Sequence, residues 1–242
     1  MVFKMIKSKV DKSAISYWYP RIKENIPTPK TTMVPVSTRD FNDYDDIYNL
    51  LDRIHTAIEL NGITYPLFLK TDMYSCKWEW SDTCFVKSER DLLSNIAHLF
   101  TRCEEEGYAE ITSLVIKEFL YLETAFLAFN DMPVAKERRY FIENKQVLCH
   151  HPYWNEFDIE FYHDNEPMWW EELLIENNIE TDEEVSSLTR LAEWFGELIE
   201  DNGYYSVDFA MDIQGKWYLI DVANGYQSYH DESCKIFIDK QC

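Results

Sequence analysis

Asp208 and Asp221 stand on the two arms of YSVDFAMDIQGKWYLIDVANG, thirteen residues apart, with Gln214-Gly215 between the arms. In a tight antiparallel hairpin such positions face each other across the ladder. Two carboxylates plus the amide oxygen of Asn224 would give a hard oxygen site suited to magnesium, completed by waters and phosphate oxygens. The same pattern also describes an ordinary hairpin with acidic ends. Lys70 leaves the apolar run YPLFLK, and Lys77 follows in the polar loop TDMYSCKWEWSD. A lysine leaving a hydrophobic strand projects either to solvent or into a cleft, where it meets phosphate as a point charge. In KERRYFIENKQVL, a strand over residues 139–142 puts Glu137 and Arg139 on one face and Arg138 on the other. Glu137 and Arg139 are then either a structural ion pair or an anion clamp with its orienting partner.

The elements that must position these residues are legible to different degrees. Residues 44–58 carry Tyr44, Ile47, Leu50, Leu51, Ile54 and Ile58 at helical spacing, ended by Asn61-Gly62. Ser88 with Asp91 resembles a capping box, and Leu92, Leu93, Ile96, Leu99 and Phe100 form the stripe that follows. Thr181 with Glu184 opens a second such helix, closed by Gly203. Strands are expected over residues 65–70, 84–86, 112–119, 139–142, 146–149, 205–211 and 216–222. The first forty residues hold Pro20, Pro27, Pro29 and Pro35, which predicts an ordered arm lying along the surface. Residues 120–138 read as looser chain, and residues 153–178 carry the weakest pattern. Helices and strands alternate without βαβ periodicity, so the fold class is α+β with two mainly antiparallel sheets.

Composition narrows the function. A net charge of -21 repels phosphate backbones and anionic lipid, disfavouring general nucleic-acid binding and membrane docking. The start MVFKMIKSKVDKSAISYW is too polar for a signal peptide, and no apolar run reaches about 18 residues, so a cytoplasmic protein is expected. Cys76, Cys84, Cys103, Cys149, Cys234 and Cys242 form no CxxC pair and read as reduced thiols; closely spaced zinc ligands are absent. His150-His151 would face opposite sides of a strand and take structural roles. Trp169-Trp170 read as core, and the acidic runs at residues 104–106 and 180–184 read as solvated faces or helix-dipole partners.

The order of these features resembles the ATP-grasp superfamily. Strand lysine, loop lysine, VIKEFL, then ExR on a strand and D…D..N on a hairpin follow its pattern over about residues 18–226. The sequence is most similar to the clade marked by one arginine and two lysines, known from phages and bacteria, through MPVAKERRYFIENKQVLCHHPYW. The early Trp18-Tyr19-Pro20 also resembles eukaryotic cell-cycle ATP-grasp proteins that assist assembly of a translation initiation factor.

That resemblance implies an ATP-grasp fold: an N-terminal arm and helix (1–62), an N-lobe (63–116) and a C-lobe (117–242), closing on ATP and Mg2+. Lys70 and Lys77 would hold the α- and β-phosphates. Val115, Ile116, Lys117 and Glu118 would form the interlobe hinge, with backbone groups reading the adenine edge. Glu118 or Glu123 would take the ribose hydroxyls. Arg139 would clamp the γ-phosphate, oriented by Glu137, and Asp208 and Asp221 would bind magnesium. It further implies an ATP-dependent carboxylate–amine ligase working through an acyl phosphate, with Lys77 and Arg139 neutralising charge in flight. The alternative is a non-enzymatic, ATP-dependent binding or assembly factor. The family motif ends acidic-x-Asn, whereas Asp221-Val222-Ala223-Asn224 places the asparagine one residue late. Either a bulge at Val222-Ala223 returns Asn224 to the metal, or the site has lost a ligand.

Overall fold

The computed structural model describes residues 11–41, 43–72, 74–107, 111–161, 167–231 and 234. Cys242, the first ten residues of the predicted arm and Met73 of the predicted loop lie outside them. In chain order the elements begin with α1 (Ile15–Ile22), β1 (Thr31–Pro35), α2 (Tyr44–Leu60), β2 (Leu67–Thr71), β3 (Phe85–Val86) and α3 (Glu89–Glu105). Next come β4 (Ser113–Glu118), β5 (Thr124–Ala128), β6 (Met132–Ala135), β7 (Glu137–Glu143) and β8 (Gln146–Pro152). The chain continues through α4 (Glu156–Phe161), α5 (Trp170–Asn177), α6 (Asp182–Leu198), β9 (Tyr205–Met211) and β10 (Trp217–Asn224).

Two antiparallel four-stranded sheets organise the fold, in the orders β1-β4-β2-β3 and β10-β9-β7-β8, and β5 and β6 form a separate two-stranded sheet. Leu67, Leu69, Leu114 and Ile116 turn to one face of the first sheet. There they meet Leu50 and Ile54 of α2 and Leu92, Ile96 and Leu99 of α3. Tyr140, Ile142, Val207, Phe209 and Leu219 turn to one face of the second sheet, against Leu188, Ala192 and Phe195 of α6. Each such fully buried aliphatic or aromatic side chain contributes about 1.5–3 kcal/mol. The opposite face of each sheet is thereby left for other work.

Local chemistry explains the helix starts. The Asp43 side chain accepts from the Asp46 N–H, and Thr181 accepts from the Glu184 N–H, so both helices have capped first turns. Gly196 is required because α6 runs against the β7–β8 turn. A Cβ there would stand 2.9 Å from the Lys145 Cα.

The N-terminal arm does not lie on the surface. Trp18, Ile22 and Ile26 are almost wholly buried in the core beneath the second sheet, and β1 pairs with β4 inside the first sheet. Pro20 sits within the short helix α1, where one missing N–H is outweighed by burial of Trp18 and Ile22. The looser stretch contains β5 and β6, joined by Phe129, Asn130 and Asp131, all with positive φ. Residues 156–161 and 170–177 are helical. Trp170 is buried as expected, but Trp169 is 60% exposed because it precedes the helix rather than lying on its inner face.

Among the cysteines, Cys76, Cys84 and Cys103 are free and buried, whereas Cys149 and Cys234 form a disulfide across a separation of 85 residues. Sequence spacing could not reveal that pairing, because the fold brings β8 and the C-terminal segment together. No helix among the described residues is long and apolar enough to cross a membrane.

Candidate functional site: a charged cleft between the sheets

Strand parity selects the residues that face the cleft. On β2 and β4, alternation turns Phe68, Lys70 and Lys117 away from the helices and into a cavity of about 180 Å³. From the second sheet, Arg139, Asp208 and Asp221 lie in one cross-strand row over β7, β9 and β10. Glu137 shares the Arg139 face and lines the cavity, while Arg138 turns the other way. Arg138 is fully buried, donating to Glu184 at 2.6 Å and to the carbonyls of Asn177 and Ile179, each at 3.0 Å. It anchors α5 and α6 to the sheet.

Asp221 joins the row through an inserted residue. Leu219 pairs with Phe209, but Asp221 pairs with Asp208, so the register slips by one at Ile220. An uninterrupted ladder would place Asp221 opposite Val207, whose side chain faces the helices. The Ile220 carbonyl accepts a hydrogen bond from Lys117 Nζ at 2.6 Å.

The cleft therefore couples cations to anions. Lys70 Nζ donates to both Asp221 oxygens, at 2.9 and 3.2 Å. Arg139 grips Asp208 with a bidentate fork, Nε–Oδ1 at 2.8 Å and Nη2–Oδ2 at 2.7 Å. Lys77 Nζ donates to the Tyr153 hydroxyl and lies 4.2 Å from that ring's centroid and 4.6 Å from the Trp154 ring. The Arg139 guanidinium lies 4.6 Å from the same Tyr153 ring. Phe68, Trp80, Phe119 and Leu122 supply apolar wall.

Burial and charge shift the protonation of these groups in opposite directions. Burial lowers Lys117 to about 8, with Asp221 opposing and Lys70 reinforcing the shift. Burial raises the Glu137 carboxyl to about 7, an effect that Lys77 opposes and Asp208 adds to. For Asp221, burial disfavours the charge, but Lys70 and Lys117 outweigh it and hold the carboxyl below the usual range. Burial likewise opposes charge on Lys77, yet Tyr153 and Glu137 outweigh it and the net shift is upward.

Such a donor set suits a polyanion accompanied by a divalent cation. Lys70, Lys77, Lys117 and Arg139 offer positive charge, and Asp208 and Asp221 offer hard carboxylate oxygens on adjacent strands. Asp221 keeps 41% of its side chain exposed, so it is accessible to a cation entering the cleft.

Several expectations need correction. Val115, Ile116 and Lys117 lie inside β4, whose ladder is paired with β1 on one side and β2 on the other. Their backbone groups are thus committed to the sheet; the free edge begins after Glu118, at Phe119 and Leu120, which line the cavity. Lys117 reaches the cleft through its side chain, a role that a hinge reading could not supply. Glu118 lines the cavity and its Oε2 accepts from the Lys30 N–H at 3.1 Å. Glu123 is exposed and outside the cavity lining. The expected bulge at Val222-Ala223 is absent, because the register is regular from Asp221 to Asn224. Asn224 is exposed and its Oδ1 accepts from the Tyr226 N–H at 3.0 Å, away from the carboxylate row.

Tyr153 and Trp154 enter the sequence reading only as part of a motif, yet both line the cavity. Their signal is position: they immediately follow a strand whose other end is a tight turn.

Residues 59–236 match the model of an ATP-grasp domain, family 3 of the clade marked by one arginine and two lysines, and the chain belongs to that family. Among solved structures, the chain is similar to the VanG D-Ala:D-Ser ligase from Enterococcus faecalis. The identity is 14% and the TM-score 0.56, covering 92% of this chain and 56% of that one. It is also similar to D-alanine–D-alanine ligase from Bacillus anthracis complexed with ATP, with 15% identity, a TM-score of 0.50, and coverage of 88% and 55%. At these identities the likeness shows the fold, which is ATP-grasp and α+β. The chain spans a little over half the length of both structures. No curated protein matches the sequence.

Proposed function

We propose that the cleft binds ATP with a magnesium ion and that the protein is an ATP-dependent carboxylate–amine ligase. The single observation that carries this reading is the convergence of Lys70, Lys77, Lys117 and Arg139 on Asp208 and Asp221, in a chain whose net charge is -21. Cations gathered against such an acidic background are suited to a phosphate chain. In this reading the two large sheets belong to the two lobes that close on the nucleotide. Phe68, Trp80 and Phe119 offer apolar surface for a base, and Glu118 is the cavity-lining candidate for its ribose.

ATP would supply an activated phosphoryl group, making the substrate carboxylate reactive towards an amine through an acyl phosphate. The chain's own residues position and neutralise. Lys70 and Arg139 would release Asp221 and Asp208 to the cation and turn to phosphate oxygens, exchanging one set of ion pairs for another. Lys77, held against Tyr153 and Trp154, is placed to follow developing negative charge. Glu137 beside it orients Arg139 and Lys77. The acidic surface supports action in solution on small molecules or peptide ends, in the cytoplasm, rather than on nucleic acid or anionic lipid.

The test is incubation with ATP, magnesium and a metabolite extract, followed by mass spectrometry. A ligase yields a product of the combined mass of an acid and an amine less water, together with phosphate. Asn224 favours a second reading, a nucleotide-ordered binding factor, because its amide is turned from the carboxylate row. ATP turnover indifferent to added amines, with a stable protein complex, would select that reading.

A further inference from the structure

Cys149, His230 and Cys234 come together from separate parts of the chain, with their ligand-type atoms all within 4.8 Å of one another. Cys149 lies on β8, and the other two lie in the C-terminal segment that crosses it. Cys149 Sγ is 3.5 Å from His230 Nε2. A tetrahedral zinc ion with bonds of about 2.3 Å to sulfur and about 2.0 Å to nitrogen holds such ligand atoms about 3.5–3.8 Å apart. The observed spacing is thus close to that of a site, and the surroundings are prepared for one. His230 stacks on Phe141 at 3.9 Å between ring centroids, which fixes the imidazole plane. His151 sits two residues beyond Cys149 on the same strand face, with its ring 6.1 Å from that of His230. Its buried Nε2 has no hydrogen-bond partner among the described residues. Both imidazoles and Cys234 are under 10% exposed.

We propose that Cys149, Cys234 and His230, with His151 as fourth ligand, form a binding site for zinc or a similar thiophilic divalent cation. The disulfide is the oxidised, metal-free state of the same site. A disulfide alone asks for no imidazole beside its sulfurs, whereas two sulfurs and two imidazoles on one buried spot form a complete tetrahedral ligand set. A Cα separation of 6.2 Å serves either state, because only the side chains must part.

Conversion requires a dithiol reductant. Two electrons and two protons pass to the sulfurs of Cys149 and Cys234 as the dithiol becomes a disulfide. On metal binding both thiols release their protons and donate as thiolates.

The site is next to the cleft. His151 pairs with Arg139 in the β7–β8 ladder, and Arg139 Nη1 donates to the carbonyl of Tyr229, the residue before His230. Metal would therefore pin the segment from Tyr229 to Cys234 against β8, beside the arginine that grips Asp208.

The experiment uses the full chain, reduced with a dithiol that is then removed without air. Zn2+ is titrated in competition with a chromophoric chelator, and Co2+ is added separately to report thiolate coordination by its charge-transfer absorption. One equivalent of Zn2+ should bind, Cys234→Ser and His230→Ala should each weaken it at least tenfold, and the oxidised chain should not compete. Circular dichroism checks that each variant is folded. If Cys234→Ser unfolds, His230→Ala decides. Absence of stoichiometric binding by the folded, reduced chain would overturn the proposal. Undiminished binding by either folded variant would do the same, since it would place the metal elsewhere.

Discussion

Asp221 faces Asp208 because one inserted residue, Ile220, shifts the β9–β10 register between Leu219 and Asp221. Lys117 closes the insertion by donating to the Ile220 carbonyl. The first sheet thus touches the second at the point where the carboxylate pair is made. Lys117→Met removes the charge and leaves that carbonyl unpaired, a cost of about 1–3 kcal/mol offset by no longer burying an ammonium. The melting temperature should stay within about 5 °C of wild type. ATP affinity, read by calorimetry, should fall at least tenfold; unchanged affinity would remove Lys117 from the site.

Lys70 and Lys77 should separate by kinetics. Lys70 emerges from a strand and meets Asp221, so Lys70→Ala should weaken ATP binding with little loss of fold. Lys77 lies beyond the strand among aromatic rings, and Lys77→Ala should lower ATP turnover more than affinity. Phosphate release and equilibrium binding, measured on both variants, check the split. Equal effects on both quantities in both variants would show the roles to be misassigned.

Much of this architecture is readable because local rules and burial agree. The caps at Asp43 and Thr181, the stripes of α2, α3 and α6, and the opposite facing of Arg138 and Arg139 follow from spacing and strand parity alone. What could not be read depends on contacts distant in sequence. Trp18 and Ile22 hide a proline-bearing segment in the core, which proline content argues against. The bulge at Ile220 has no glycine or proline to mark it. The Cys149–Cys234 pair spans 85 residues. Lys117 reads as part of an apolar strand, and its depth in the cleft exists only once two sheets face each other.

The neighbouring arginines should differ sharply in stability. Arg138 is fully buried and bonds Glu184 and the carbonyls of Asn177 and Ile179. Arg138→Ala would strand the Glu184 carboxylate and should cost about 3–5 kcal/mol in urea unfolding. Arg139→Lys keeps a cation beside Asp208 while losing the bidentate fork, and should impair turnover far more than stability.

Glu137 should leave a mark on stability against pH. Its carboxyl is raised by burial from 4.5 to about 7, so the folded chain retains a proton that the unfolded chain has lost within that window. This contribution is fully present below about pH 4.5 and is lost as pH rises through about 7. Relative to Glu137→Gln, the wild-type chain should therefore lose unfolding free energy as pH rises from about 5 to about 7.5. Parallel stability curves for the two proteins would show that Glu137 is ionised throughout.

The most direct test is calorimetric titration of the chain with ATP, with and without magnesium. The cleft of Lys70, Lys77, Lys117 and Arg139 around Asp208 and Asp221 predicts one ATP per chain, tighter with magnesium. Asp221→Asn should abolish the magnesium dependence while the chain remains folded. Absence of binding at millimolar ATP, or binding indifferent to both magnesium and Asp221, would contradict the assignment of this cleft as a magnesium–nucleotide site.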